Sequence, residues 1–248
     1  MSIPHKIHYC WFGGRPLPGS AERCVASWEK FFPGYEIVRW DESNFDVRMI
    51  PYCAEAYEAK KYAFVSDFAR FWILYNYGGV YFDTDVEVIR PMHDIIEAGA
   101  FMGCEHDYDP DAPVVDIGVA PGLGIAAEKD NPLFKEIIDY YSGLHFKLPD
   151  GSLNTTTIVV HVSEILSKYG LCNSPHIQDV AGFKIYPVEY FCPKSTKDGK
   201  LRITNNTRSI HHYDQSWQSP WRKFGRKFVL RIGGHKLKDR VKAVLLKK

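Results

Sequence analysis

Residues Tyr62–Tyr77 are apolar or aromatic at almost every position, and they lead through Gly78-Gly79 directly into Val80-Tyr81-Phe82-Asp83-Thr84-Asp85. A helix that is hydrophobic all round must be buried. A glycine pair stops it, and a short buried strand follows. The chain is thereby committed to a helix packed on a sheet, with two aspartates delivered where the strand ends. The charged exceptions in the helix are Asp67 and Arg70, with Ser66 beside them. Three residues apart, they share one helix face. Burying such ions costs several kcal/mol each unless they are paired or liganded. Two readings follow: an internal ion pair, or two groups facing a polar cleft beside the Asp-x-Asp turn.

On an extended backbone alternate side chains share a face, so Asp83 and Asp85 are expected on the same side of a strand hairpin. Adjacent carboxylates repel, and a cation between them removes the conflict. Hard oxygen ligands suit Mg²⁺ or Mn²⁺, with the remaining positions going to water and a diphosphate. Phosphatases of the haloacid dehalogenase type also end a strand with Asp-x-Asp. Their pattern puts Thr or Val two residues after the second Asp, where this chain has Glu87, and their strand opens the fold. Both departures argue against a phospho-aspartate nucleophile.

The length of 248 residues suits one large α/β domain or two small ones. Aromatics make up 15% of the chain, which supplies stacking surfaces as well as core. The six cysteines form no C-x-x-C pair, and a chain this long needs no disulfide staples. The opening MSIPHKIHYCWFGG lacks the pattern of a secretory signal, and no apolar run reaches 18 residues. The expected compartment is a reducing cytoplasm.

Strand and helix alternate early: a strand at Lys6–Phe12, a helix at Ser20–Phe32, a strand at Glu36–Trp40 and a loop at Asp41–Pro51. This predicts an α/β fold with a largely parallel sheet. Residues 54–77 are expected to be helical. Strands are predicted at Ala100–Cys104, Ile117–Ala120, Lys184–Phe191 and Arg208–Tyr213, and helices at Asn131–Tyr141 and Thr156–Tyr169. Asn154-Thr155-Thr156-Thr157 reads as a helix cap or a ligand contact. The acidic loop Asp107–Pro113 is placed near an acceptor.

Four blocks occur together in order: IPHKIHYCWFGG, KYAFVSDFARFWILYNYGGVYFDTDVEV, DIGVAPGLGIAA and SIHHYDQSW. Over residues 3–217 they resemble glycosyltransferase family 32, which includes yeast initiating mannosyltransferases and bacterial capsular-polysaccharide transferases. The resemblance implies a GT-A fold, a Rossmann-like mixed sheet flanked by helices. It also implies Mn²⁺ or Mg²⁺ dependence, a nucleotide-sugar donor (UDP in preference to GDP) and retention of anomeric configuration. Carried over by position, Asp85 would ligate the metal, and Asp83 would act through water or touch the donor. Asp67 and Arg70 would bind the donor sugar, so the catalytic group would be Asp67, Arg70, Asp83 and Asp85. Trp11 would stack on the nucleobase, or else serve as a core residue. Strand alternation leaves His211 and His212 open as the group completing the metal shell; the family's spacing favours His211. Ser216 and Trp217 would belong to a lid over the diphosphate.

Residues 221–248 hold eleven Lys/Arg and one acid, which leaves 20 basic and 29 acidic residues, a balance of −9, in 1–220. Leu237, Val241, Val244 and Leu245 fall on one helical face among basic residues. The expected division is a transferase domain at 1–220 and a basic amphipathic helix at 221–248. That helix would lie on anionic lipid at the inner face of the cytoplasmic membrane or pack on a partner. No nucleic-acid recognition motif accompanies it. The expected function is sugar transfer to a saccharide acceptor, lipid-linked in one reading, in surface or capsular polysaccharide synthesis. The alternatives are a protein-modifying transferase and a non-catalytic sugar-nucleotide-binding or membrane assembly factor.

Overall fold

The computed structural model describes residues 2–111, 117–195 and 198–214. Met1–Tyr213 form one compact unit. Ser216, Trp217 and the whole of 221–248 lie outside the described residues.

The chain opens with β1 (Lys6–Cys10), α1 (Gly19–Phe31) and β2 (Glu36–Trp40). On α1 the buried Ala21, Cys24 and Trp28 recur at helical spacing. The segment 54–77 is not one helix but two, α2 (Pro51–Glu58) and α3 (Tyr62–Tyr77). They are separated at Lys60, whose φ of 55° no helix accommodates. Gly78 (φ 62°) and Gly79 (φ 106°) then turn the chain into β3 (Gly79–Tyr81). A Cβ at Gly79 would stand 2.7 Å from the Lys6 carbonyl oxygen, so glycine is required by contact as well as by φ. The turn is held by buried His8. Its Nδ1 accepts from Trp40 Nε1 (3.1 Å), and its Nε2 is 3.0 Å from the Gly78 carbonyl. Burial pushes the His8 pKa down to about 4 and keeps the ring neutral.

After β4 (Val86–Val88) and α4 (His93–Glu97) come β5 (Phe101–Gly103), a 3-10 turn at Pro121–Leu123 and β6 (Ile125–Ala127). The chain continues with α5 (Pro132–Ser142), α6 (Ile158–Ser167), β7 (Gln178–Val180), β8 (Phe183–Tyr186), α7 (Val188–Phe191) and β9 (Ser209–His211). Seven strands form one sheet in the order β2-β1-β3-β6-β5-β8-β7, and β4 and β9 form a second, two-stranded ladder. This is a mixed α/β fold with helices against the large sheet, as the resemblance implied. The expectation of a largely parallel sheet is corrected. β1–β2, β1–β3 and β5–β8 are parallel, whereas β3–β6, β5–β6 and β7–β8 are antiparallel.

Several local expectations also change. Ile117–Ala120 contributes a single bridge, Cys104 to Val119, rather than a strand. The predicted strand Lys184–Phe191 breaks at Pro187 into β8 and α7. Thr157 stands at the N-cap of α6 without a side-chain cap bond; Asn154 Oδ1 instead accepts from the Thr156 amide at 3.2 Å.

Side chains alternate between two apolar layers. Val80, Phe82, Phe101 and Ala126 pack with Trp28 of α1. Tyr81, Met102, Ile125 and Ala127 pack with Phe68, Phe71 and Leu74 of α3. The layers therefore lie on opposite faces of the sheet. The face that carries Tyr81 is the one α3 covers, and this parity decides what Asp83 meets. All six cysteines are free thiols. Among the described residues no helix is long and apolar enough to cross a membrane.

Candidate metal centre and active site

Asp83 follows Tyr81 by two residues, and its carboxylate emerges on the α3 face. There Arg70 Nη2 is 2.9 Å from Asp67 Oδ1 and 3.3 Å from Asp83 Oδ1. The Tyr81 hydroxyl donates to the same Asp83 oxygen at 3.1 Å, and the Arg70 guanidinium lies over the Tyr81 ring, 4.9 Å from its centre. The internal ion pair is formed, and Arg70 also reaches the Asp-x-Asp turn. One guanidinium serves two carboxylates here. Burial pushes the Asp67 pKa up to about 7, with Arg70 opposing and Asp83 assisting. Arg70 stays cationic, its pKa raised against desolvation by Asp83, Tyr81 and Asp67. Its Nη1 is buried with no hydrogen-bond partner among the described residues.

The hairpin expectation is corrected. β3 lies in the large sheet between β1 and β6, while β4 leaves it to pair with β9. Between them the Val86 amide donates to the Asp83 carbonyl at 3.0 Å and closes a turn over Thr84-Asp85. This turn, rather than strand pleating, brings the two carboxylates together.

The third member comes from β9. The antiparallel register pairs Val86 with His211, and His211 Nε2 lies 3.0 Å from Asp85 Oδ1. Asp83, Asp85 and His211 offer ligand atoms within 4.8 Å of one another. Strand alternation left two histidines open, and the structure separates them. His212 points away, with Nε2 2.8 Å from Glu87 Oε2. Burial lowers the His211 pKa, but the hydrogen bond and charge of Asp85, with Asp83 and Glu105, raise it overall. His211 Nδ1 is buried with no hydrogen-bond partner among the described residues.

The donor set fits a hard divalent cation. Two carboxylates and one imidazole offer ligands for a divalent cation. Trp11 sits just past β1, at the sheet edge where β3 releases Asp83. Its indole donates to the Arg15 carbonyl at 2.7 Å, and its ring packs partly on the core.

Sequence reasoning missed Tyr81 and Gly122. Gly122 lies against the aspartate turn, and its carbonyl accepts from the Asp83 amide at 3.1 Å. A Cβ there would stand 2.0 Å from Asp83 Oδ2 and 3.2 Å from Arg70 Nη1. The glycine in the middle block PGLG was the available signal. Glu105, after β5, was missed as well. Burial raises its pKa, and its Oε2 is 3.4 Å from the Tyr213 hydroxyl, whose ring lies tilted against His211 with centroids 4.1 Å apart.

Residues 18–102 match the family described as "Glycosyltransferase sugar-binding region containing DXD motif". Inositol phosphoceramide mannosyltransferase 1 of Schizosaccharomyces pombe is 28% identical over 111 residues, 40% of this chain and 33% of that protein. Inositol phosphoceramide mannosyltransferase 3 of the same yeast is 31% identical over 109 residues, 41% of this chain and 29% of that protein. The matched stretch thus spans about a third of the length of these curated relatives. Among solved structures, a glycosyltransferase involved in the glycosylation of the major capsid of PBCV-1 superposes with a TM-score of 0.47 at 12% identity, covering 83% of this chain and 92% of that one. The matched region takes in Asp67, Arg70, Asp83 and Asp85, so the part of this chain that carries the aspartate turn is similar to glycosyltransferase sugar-binding regions that contain a DXD motif.

Proposed function

We propose that this protein is a metal-dependent retaining glycosyltransferase that moves a sugar from a nucleoside-diphosphate donor to a saccharide acceptor. The observation that carries the reading is the convergence of Asp83, Asp85 and His211 beside the buried Asp67–Arg70 pair. Asp83, Asp85 and His211 would hold Mn²⁺ or Mg²⁺, which when bound supplies positive charge against the departing diphosphate. Arg70 is held by two carboxylates, and its Nη1, buried without a hydrogen-bond partner among the described residues, would be the donor left for a hydroxyl of the donor sugar. Asp67 orients that guanidinium. Tyr81 and Gly122 fix the rotamer of Asp83, so the site is organised before substrate arrives. Trp11 is proposed to stack on the nucleobase, UDP being favoured over GDP, and Ser216 and Trp217 to close over the diphosphate.

The wider reading is a domain at 1–220 and a basic tail at 221–248 that rests on anionic lipid at the cytoplasmic face of a membrane. There the enzyme would extend a lipid-linked glycan in surface or capsular polysaccharide synthesis. The names of the yeast relatives, inositol phosphoceramide mannosyltransferases, support a lipid-borne acceptor. A thermal-shift panel of UDP, GDP and their sugars with and without Mn²⁺ tests the donor and metal assignments. The expected outcome is a rise in melting temperature that needs nucleotide and metal together. A shift with nucleotide alone, or none with any nucleotide, removes the metal-dependent reading. Metal-dependent hydrolysis of the donor in the absence of acceptor tests catalysis.

A further inference from the structure

A cavity lies beyond the carboxyl ends of β5 and β8, with a volume of about 230 Å³. β5 runs parallel to β3, since each pairs antiparallel with β6, so this cavity opens at the same sheet edge that delivers Asp83. It is also joined to the metal cluster side chain by side chain. Cys104 and His106 line the cavity, and the Glu105 carboxylate between them lies 3.4 Å from His106 Nε2 and 3.4 Å from the Tyr213 hydroxyl, whose ring is beside His211.

The lining combines apolar surface with acidic groups, and His106 stands among them. Tyr108 presents a half-exposed ring, Pro175 and Pro187 give rigid apolar walls, and Asp107, Asp109 and Glu189 supply carboxylates. Among the described lining residues there is no lysine or arginine. The walls are braced. Ser195 donates to Asp107 Oδ2 at 3.2 Å, and Thr204 and Asn206 donate to Glu189. Gly118 (φ 66°) lies so close to His106 that a Cβ would stand 2.7 Å from its Nδ1. An open aromatic face with fixed carboxylates around it matches a pyranose ring, which offers an apolar C–H face and a rim of hydroxyl donors. The same carboxylates repel a uronic acid or a phosphorylated sugar.

Resting on the glycosyltransferase reading, we propose that this cavity is the pocket for the acceptor saccharide, and that its terminal residue is an uncharged or amino-bearing sugar rather than an anionic one. Tyr108 is the platform on which that ring stacks. Asp107, Asp109 and Glu189 take its hydroxyl or ammonium hydrogens.

Saturation-transfer NMR on the full chain, with methyl α-mannopyranoside, methyl glucosaminide and methyl glucuronide as probes, tests the assignment. The mannoside and glucosaminide are expected to receive saturation and the glucuronide not. Tyr108→Ala, at an exposed position, is expected to weaken the first two by roughly three- to tenfold, the loss of one aromatic contact. The paired change Asp109→Asn with Glu189→Gln is expected to admit the glucuronide. Equal binding of all three probes to the unaltered protein, no binding by any of them, or binding indifferent to Tyr108→Ala overturns the proposal. The manganese-dependent UDP shift, measured on the same unaltered protein, reads the donor site separately. A pocket that fails while that shift persists refutes the acceptor assignment and leaves the transferase reading standing.

Discussion

His211 Nε2 stands 3.0 Å from Asp85 Oδ1 although 126 residues separate them in the chain. The contact exists because β9 returns to pair with β4, so the imidazole reaches the aspartates as part of a strand rather than a loop. Removing either partner therefore tests the site directly. Asp85→Asn is expected to lower metal-dependent donor hydrolysis by about 10²-fold or more with the far-ultraviolet spectrum unchanged. His211→Ala is expected to raise the Mn²⁺ concentration at half-maximal activity by roughly 10- to 100-fold, with partial recovery at high metal. Normal turnover of Asp85→Asn at limiting Mn²⁺ would refute the assignment.

Gly122 offers a test that touches no charged group. Its substitution by alanine places a methyl 2.0 Å from Asp83 Oδ2, and the carboxylate must move. Gly122→Ala is expected to cost about 1–3 kcal/mol in urea unfolding and to weaken metal dependence disproportionately. A variant with full activity and unchanged Mn²⁺ response would show that Asp83 tolerates displacement.

Arg70 is the only cation within reach of Asp67 among the described contacts. Arg70→Met leaves a buried carboxylate without its partner and is expected to destabilise by about 3–5 kcal/mol. Asp67→Asn on its own is expected to cost less. The double variant should recover part of the loss, which a double-mutant cycle in urea measures. Strict additivity would mean that the two groups do not interact.

The raised pKa of Asp67, about 7 when folded against 3.8 as a free side chain, has a defined sign. Between those values the folded state holds a proton that the unfolded state releases. The contribution of Asp67 to stability is therefore greatest below about pH 4, declines as pH rises through that window, and is level above it. Comparison with Asp67→Asn isolates it. The unaltered protein is expected to lose stability relative to the variant between pH 4 and pH 7 in chemical denaturation. A constant difference across that range would place the Asp67 pKa near its ordinary value.

The basic tail predicts lipid binding that disappears with it. In co-sedimentation with vesicles containing phosphatidylserine, the full chain is expected to pellet and a chain ending at Pro220 to remain in the supernatant. The pelleting should weaken as salt rises. Equal pelleting of both chains would remove the tail from the membrane reading.

The sequence was most legible where periodicity and burial agree. Glu36–Trp40 is a strand at the predicted bounds, and α1 lies within one residue of its expected range. The proximity of Asp67 and Arg70 to Asp83 followed from connectivity, since α3 runs through the glycine pair into β3. Other features depend on partners distant in the chain. β6 is three small or branched residues, Ile125-Ala126-Ala127, whose strand character comes from pairing with β3 and β5 rather than from propensity. The hairpin expectation failed for the same reason, because β4 found its partner at β9. Gly122 has no unusual φ, and its constraint is visible only once Asp83 is beside it. The two histidines were equivalent by alternation until the β4–β9 register separated them.

The return of β9 also fixes when the centre can exist. A nascent chain that has not yet reached Ser209 carries both aspartates and the Arg70 brace but no imidazole, and β4 lacks its only ladder partner among the described strands. Assembly of the centre is therefore coupled to synthesis of that strand, and a product cut short before it would be left with the acidic half of a site whose third ligand was never made.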